Sequence, residues 1–141
     1  TGTGTIALFM AQIAKKVIGI ESIQEAIDAA KQNALDNNIV NTEFIVGDMR
    51  EVFNEELWNK YGKPDVLITD PPRDGMHPKV VQKLLDLKIP KIVYVSCNTA
   101  TQARDLDLMR GEYQVESVQP VDMFPQTHHI ENILLLKLKS N

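Results

Sequence analysis

Cysteine is almost absent from this sequence: Cys97 is the only one among 141 residues. A single cysteine excludes an internal disulfide and any cysteine-rich zinc or iron–sulfur site within the chain, and it suits a reducing cytoplasm. No apolar run approaches the roughly 18 residues that a membrane helix needs. The first ten residues also lack the basic region of a signal peptide. These absences predict a cytoplasmic domain without a membrane segment.

Positive charge is scarce as well. Fifteen Lys and Arg stand against 19 Asp and Glu, which gives a formal net charge of −4. A domain that binds nucleic acid by itself is usually basic. If this chain acts on RNA, we therefore expect other parts of a larger protein to supply most of the phosphate contacts.

Short apolar segments typical of buried strands alternate with segments of helical periodicity. Helices are predicted over 6–15, 23–37, 50–61, 78–87 and 99–110, and strands over 17–21, 43–47, 66–70, 89–96, 113–121 and 130–139. Such alternation predicts an α/β, Rossmann-like fold with a mainly parallel sheet and helices on both faces. The last two strands have no helix between them, so we expect an antiparallel last strand in a hairpin at one edge. Capping-box spacing predicts that Ser22 and Thr99 begin helices.

The chain opens directly on a glycine-rich turn, Thr1-Gly2-Thr3-Gly4-Thr5. In nucleotide-binding α/β folds such a turn lies between a strand and a helix. The strand that should precede it is missing from the sequence, which also lacks an initiating Met. We therefore expect residues 1–141 to be one catalytic domain, cut from a larger protein after its first strand, and we expect its central sheet to be incomplete.

Polar residues follow the first two predicted strands, where α/β proteins bind ligands. The glycines Gly2 and Gly4 would let the main chain approach a ligand closely. Glu21 could accept hydrogen bonds from both hydroxyls of a ribose. Asp48 could accept a hydrogen bond from an adenine amino group, and it could equally cap the helix that follows.

The later strands end in residues suited to catalysis. Asp70 begins the rigid turn Asp70-Pro71-Pro72-Arg73, which would hold it at the mouth of a crevice. Cys97 precedes a predicted helix, and a helix N-terminus favours the thiolate form that acts as a nucleophile. Glu131 begins the last strand, which runs the opposite way, so Asp70, Cys97 and Glu131 are expected to converge on one cavity. The adjacent His128 and His129 would point apart on a strand, and no metal site is predicted.

Four motifs in this order resemble those of the RNA uracil-C5 methyltransferase family, which makes 5-methyluridine in tRNA and ribosomal RNA. They are Gly2-Thr3-Gly4-Thr5, Asp70-Pro71-Pro72-Arg73, Ser96-Cys97-Asn98 and His129-Ile130-Glu131-Asn132. The resemblance covers essentially the whole chain and the family's C-terminal catalytic domain. It implies that Thr5, Glu21, Asp48 and Asp70 contact S-adenosylmethionine, that Cys97 is the nucleophile, and that Glu131 is the general base. It also implies an RNA substrate held mainly by upstream domains.

Three other functions remain open at this point. An RNA cytosine-C5 methyltransferase also uses a cysteine after this strand, but it usually carries a second cysteine after the Asp-x-Pro turn, where Pro72 and Arg73 stand here. A nicotinamide-dependent dehydrogenase would explain the glycine turn and Glu21. It would not explain Asp70, Cys97 and Glu131 together. A binding module without activity is the third.

Overall fold

The computed structural model describes residues 1–140, which form six helices and six strands. In chain order these are α1 (Thr5–Met10), β1 (Val17–Glu21), α2 (Gln24–Asp36), β2 (Thr42–Val46), α3 (Met49–Val52), α4 (Glu55–Tyr61), β3 (Val66–Thr69), α5 (Pro78–Leu87), β4 (Lys91–Ser96), α6 (Thr99–Met109), β5 (Tyr113–Val121) and β6 (Glu131–Leu138). They divide into two compact units, Thr1–Asn54 (unit 1) and the part that begins at Glu55 (unit 2). None of the described helices is long and apolar enough to cross a membrane.

Unit 1 is built on the parallel pair β1 and β2, whose residues align from Val17↔Thr42 to Glu21↔Val46. Its core is a small cluster of buried apolar side chains from α1, α2 and β2, namely Ala7, Ile27, Ala30, Ala34 and Phe44. Gly4 lies against this core with φ +90°, and a Cβ there would meet the Cβ of Ala30 at 2.9 Å. Position 4 therefore requires glycine both for its backbone angle and for the close approach of α2.

Unit 2 contains a four-stranded sheet in the order β3-β4-β6-β5. Strands β3 and β4 are parallel, whereas β6 runs antiparallel to both of its neighbours. Buried residues alternate along the two central strands and lie on one face of the sheet, namely Ile92, Tyr94, Ser96, Asn132, Leu134 and Leu136. The predicted α/β fold and its antiparallel last strand are confirmed. The expectations of one domain over 1–141 and of a further strand before residue 1 stay predictions.

A buried carboxylate joins three elements of unit 2. Asp105 on α6 is fully buried, and its Oδ2 accepts hydrogen bonds of 2.7 Å from the Tyr94 hydroxyl and from the Met76 backbone N–H. Its Oδ1 accepts two more from the guanidinium of Arg104, at 2.7 and 3.0 Å. Burial, together with this carboxylate, raises the pKa of Tyr94, so the tyrosine stays a neutral donor. All the acceptor capacity of the buried acid is thus used by protein donors.

Two helices differ from the prediction. Helix α1 ends at Met10 instead of residue 15, since the side-chain amide of Asn41 donates to the carbonyls of Ala11 and Ala14 at 2.8 and 2.9 Å. These bonds satisfy the carbonyls that a longer helix would use. The predicted helix over 50–61 is two helices, because Phe53 is buried with ψ +76°, outside the helical range.

Both predicted capping boxes are wrong by one residue. The Ser22 hydroxyl donates to the carboxylate of Glu21, and Ile23 stands at the N-cap of α2 without a side-chain bond. Helix α6 is capped by Asn98, whose Oδ1 accepts from the backbone N–H groups of residues 100 and 101 at 3.1 and 3.4 Å. Gln102, the predicted partner of Thr99 in this box, is buried and bonds to strands β4 and β6 instead.

Replacing Asp105 with Ala should destabilise the protein by about 3–5 kcal/mol, because the Tyr94 hydroxyl and the Met76 N–H would lose their buried partner. Replacing Tyr94 with Phe removes a single bond and should cost only about 1 kcal/mol. Urea unfolding of the two variants measures the difference. Equal losses for both would show that the carboxylate is not the centre of this network.

Candidate functional site

Glu21, at the end of β1, binds the main chain around it with both carboxylate oxygens. Its Oε2 accepts from the Gly2 N–H at 2.9 Å and from the amino nitrogen of Thr1 at 3.2 Å. Its Oε1 accepts from Ser22, through the N–H and the hydroxyl, and from the N–H of Ile23. The acid therefore ties the glycine-rich turn to the end of the strand.

These donors keep Glu21 ionised. Desolvation raises its pKa, but hydrogen bonds from Gly2 and Ser22 and the positive charge that the amino group of Thr1 carries as the first residue of this chain outweigh that effect and lower the pKa from 4.5 to about 2. At neutral pH the end of β1 thus carries a negative charge, and both of its carboxylate oxygens already accept hydrogen bonds from the protein.

The other residues predicted in unit 1 lie at the same edge of its sheet or in the turn. Asp48 follows β2 and caps α3, since its Oδ1 accepts from the Arg50 N–H at 2.7 Å and its Oδ2 from the Arg50 side chain. Thr5 is exposed as the first residue of α1. Gly2 has φ +52°, and the space where a Cβ would stand is open, so the turn leaves room beside its main chain.

Asp70 follows β3 in unit 2 and is exposed. Its carboxylate makes no hydrogen bond to another described residue. Partial desolvation by neighbouring atoms raises the pKa of Asp70 above its usual value. An acid without a partner at the end of a strand is available to a ligand.

Cys97 lies between the end of β4 and the N-cap of α6 and is half-buried. It opens into a cleft of about 430 Å³ lined by Arg73, Cys97, Asn98, Thr99, Pro120, His128, His129, Ile130 and Asn132. The thiol is therefore placed in a cleft and is not sealed in the core.

Glu131 lies at the same end of the sheet as Cys97. The ladder between β4 and β6 ends with the pair Ser96↔Asn132, so Cys97 and Glu131 occupy the next position along the two strands. Asn132 lines the cleft of Cys97, whereas Glu131 and Asp70 do not. Alternation along β6 turns Glu131 away from Asn132, and the expected convergence of Asp70, Cys97 and Glu131 on one cavity is not seen in this cleft.

Three residues of the cleft region were not assigned a role from the sequence. The side chains of Arg73 and His129 meet at 3.2 Å, from Nη2 to Nδ1. Asn98 donates from Nδ2 to the Arg73 carbonyl at 3.1 Å. The motifs that contain them were visible in the sequence, but only the folded chain brings the motifs together. Among the described residues, no group of three His, Cys, Asp or Glu side chains could hold a metal ion.

A family model described as tRNA (Uracil-5-)-methyltransferase matches residues 1–139. This chain belongs to that family. The family resemblance seen in the sequence motifs is thereby confirmed.

Similar proteins agree with this assignment. A Bacteroides thetaiotaomicron protein named uncharacterized RNA methyltransferase is 58% identical over 139 residues, which make up 99% of this chain and 31% of that protein. The chain thus spans about a third of the length of this relative. The crystal structure of Pyrococcus abyssi tRNA (uracil-54, C5)-methyltransferase with S-adenosyl-L-homocysteine is 38% identical, with a TM-score of 0.83 over 96% of this chain and 32% of that one. The crystal structure of an rRNA methylase from Streptococcus thermophilus is 17% identical, with a TM-score of 0.74. The match covers 99% of this chain and 82% of the methylase, and at this identity it shows a shared fold only.

In the chain that begins at Thr1, replacing Glu21 with Gln should change how stability depends on pH. Because folding lowers the pKa of Glu21 from 4.5 to about 2, its contribution is complete above pH 4.5 and is lost as the pH falls toward 2. Wild type should be more stable than the variant at pH 7, and this difference in stability should decrease as the pH falls from 4.5 to 2. Thermal unfolding across this range measures the difference, with Glu25→Gln, at an exposed position of α2, as a control. A gap that does not change with pH would contradict the assignment.

Proposed function

We propose that this protein transfers a methyl group from S-adenosylmethionine to C5 of a uridine in tRNA or ribosomal RNA, with Cys97 as nucleophile and Glu131 as general base. The observation that carries the proposal is the position of Cys97 at the end of β4, half-buried in a cleft, one strand away from Glu131. Membership of the tRNA (uracil-5-)-methyltransferase family supports the same chemistry.

The residues of unit 1 fit the nucleoside part of the cofactor. Ribose hydroxyls and an adenine amino group are hydrogen-bond donors, and the ends of β1 and β2 each present a carboxylate, Glu21 and Asp48. The open space beside Gly2 leaves room for a ligand near Thr5. When bound, S-adenosylmethionine supplies a methyl group activated by a sulfonium. Asp70, whose carboxylate has no hydrogen-bond partner among the described residues, is proposed as a further contact.

Cys97 has to activate the uracil ring, because C5 is too weak a nucleophile to accept a methyl group unaided. Addition of the thiolate forms a bond between Sγ and C6, and the electrons of the C5–C6 double bond move into an enolate. The carbon at C5 is then nucleophilic enough to take the methyl group. The base must leave its stack to reach the thiol, at a cost of about a few kcal/mol.

Glu131 is proposed to act after methylation. Its carboxylate removes the proton from C5, the electrons of that C–H bond restore the C5–C6 double bond, and the thiolate leaves C6. Cys97 and Glu131 lie just beyond the last pair of the neighbouring strands β4 and β6. A base held beyond the ends of β4 and β6 could therefore present C6 to Cys97 and C5 to Glu131.

Replacing Cys97 with Ala in the protein at its natural length should abolish methyl transfer to RNA and every covalent complex with it. The side chain is small and half-buried, so the fold should survive, which circular dichroism can check. An RNA with 5-fluorouridine at the target site is a sensitive probe, since fluorine cannot leave C5 as a cation and the adduct of the wild-type protein persists. A Cys97→Ala protein that still methylates uridine would refute the proposed nucleophile.

Replacing Glu131 with Gln should permit addition and methyl transfer but slow the loss of the C5 proton by ~10²–10⁴-fold. Methylated RNA joined covalently to Cys97 should then accumulate as a shifted band on a denaturing gel, and the double variant with Cys97→Ala should lack this band. If Glu131 were only structural, the variant would be unstable and form no adduct. A well-folded variant with normal turnover and no adduct would remove Glu131 from the mechanism.

A further inference from the structure

The cleft of Cys97 differs in charge from the chain as a whole. The chain has a net charge of −4, but no Asp or Glu lines this cleft, and Arg73 is the lining residue with a permanent charge. RNA carries a negative charge on every phosphate, so a nucleotide that enters the cleft meets a local cation despite the acidity of the chain.

The main chain of Arg73 is attached to helix α6, which begins just after Cys97. The Arg73 carbonyl accepts hydrogen bonds from Asn98 Nδ2 at 3.1 Å and from Thr101 Oγ1 at 3.0 Å. The side chains of Asn98 and Thr101, near the N-terminus of α6, therefore hold the main chain of Arg73 in place relative to the thiol.

The loop after Arg73 is attached to the same helix. Arg104 donates to the Asp74 carbonyl at 2.8 Å, and the Met76 N–H donates to Asp105 at 2.7 Å. Gly75 lies between them with φ +80°, and a Cβ there would come within 2.7 Å of both the Arg104 and Asp105 side chains. This loop is thus packed too closely on α6 to shift freely.

The guanidinium of Arg73 makes one contact, with His129, and its other N–H groups are available to a ligand. Arginine is only a donor, so Nδ1 of His129 is the acceptor in their 3.2 Å contact. Arg73 has no other side-chain hydrogen bond to the described residues. Arg73 is exposed and lines the cleft, so its remaining donors are accessible to an anionic group of a nucleotide that enters there.

We propose that Arg73 binds a backbone phosphate of the RNA at the modified nucleotide, and that His129 orients its guanidinium for this contact. The inference rests on the proposed function and adds the group that aligns the RNA strand with Cys97. A planar guanidinium can bind two phosphate oxygens at once, which a lysine ammonium does not match.

The test is RNA binding and methylation by Arg73→Gln, Arg73→Lys and wild-type protein at natural length, with a single-stranded RNA that contains the target uridine. Arg110→Gln is the matched control. Like Arg73, Arg110 is an exposed arginine; it lies at the C-terminal end of α6 and outside the cleft. Loss of one phosphate contact should lower the slope of log Kd against log salt by about 0.7 for a single strand. We expect this decrease for Arg73→Gln, little change in slope for Arg73→Lys, and none for Arg110→Gln. In turnover, Arg73→Gln should raise KM with little effect on kcat.

The role of His129 is tested by comparing two substitutions at that position. His129→Leu removes the acceptor and should weaken RNA binding, whereas His129→Gln retains an acceptor oxygen and should restore part of the loss. Unchanged RNA affinity and salt slope in Arg73→Gln would overturn the inference, and so would a loss confined to kcat, which would assign Arg73 to the reacting base. If wild-type protein methylates no uridine in RNA, the proposed function itself fails, independently of these variants.

Discussion

The hydrogen bonds that Asp105 accepts hold together the region around Cys97. A buried carboxylate is costly unless every lone pair finds a donor, and this one binds β4 through Tyr94, α6 through Arg104 and the loop after Arg73 through Met76. Because all three partners converge on one side chain, the loop, the strand and the helix cannot move independently. The thiol and the guanidinium are carried by that assembly, so their relative position is decided at a residue that touches neither.

In unit 1, Glu21 also fixes a loop by accepting hydrogen bonds, but most of its donors are in the main chain. Its carboxylate takes backbone N–H groups from the glycine-rich turn and from the residues after β1, whereas Asp105 takes mainly side-chain donors. Backbone donors, together with the charged amino group of Thr1, lower the pKa of Glu21 to about 2 against the effect of desolvation. In unit 1 an acid at the end of a strand holds a loop, and in unit 2 an acid on helix α6 does so; the proposed chemistry uses both loops.

Charge is arranged locally in this chain. The net charge is −4, and the proposed cofactor site depends on carboxylates, which suit hydroxyl and amino donors. The cleft beside Cys97 is lined by an arginine and two histidines and by no acid. The proposed phosphate contact of Arg73 needs one local cation in the cleft and does not need a basic surface over the whole chain.

The sequence by itself determined the order of helices and strands, the α/β class and the residues that follow each strand, because periodicity and local turn chemistry act between near neighbours. Helix 78–87 and strands 17–21 and 113–121 have the predicted bounds for this reason. Only the tertiary structure decided the rest. The end of α1 depends on Asn41, which is remote in sequence, and the pairing of Arg73 with His129 joins two loops. The position of Glu131 level with Cys97 at one end of the sheet follows from the register of β4 and β6, and register is a property of paired strands that neither strand encodes alone.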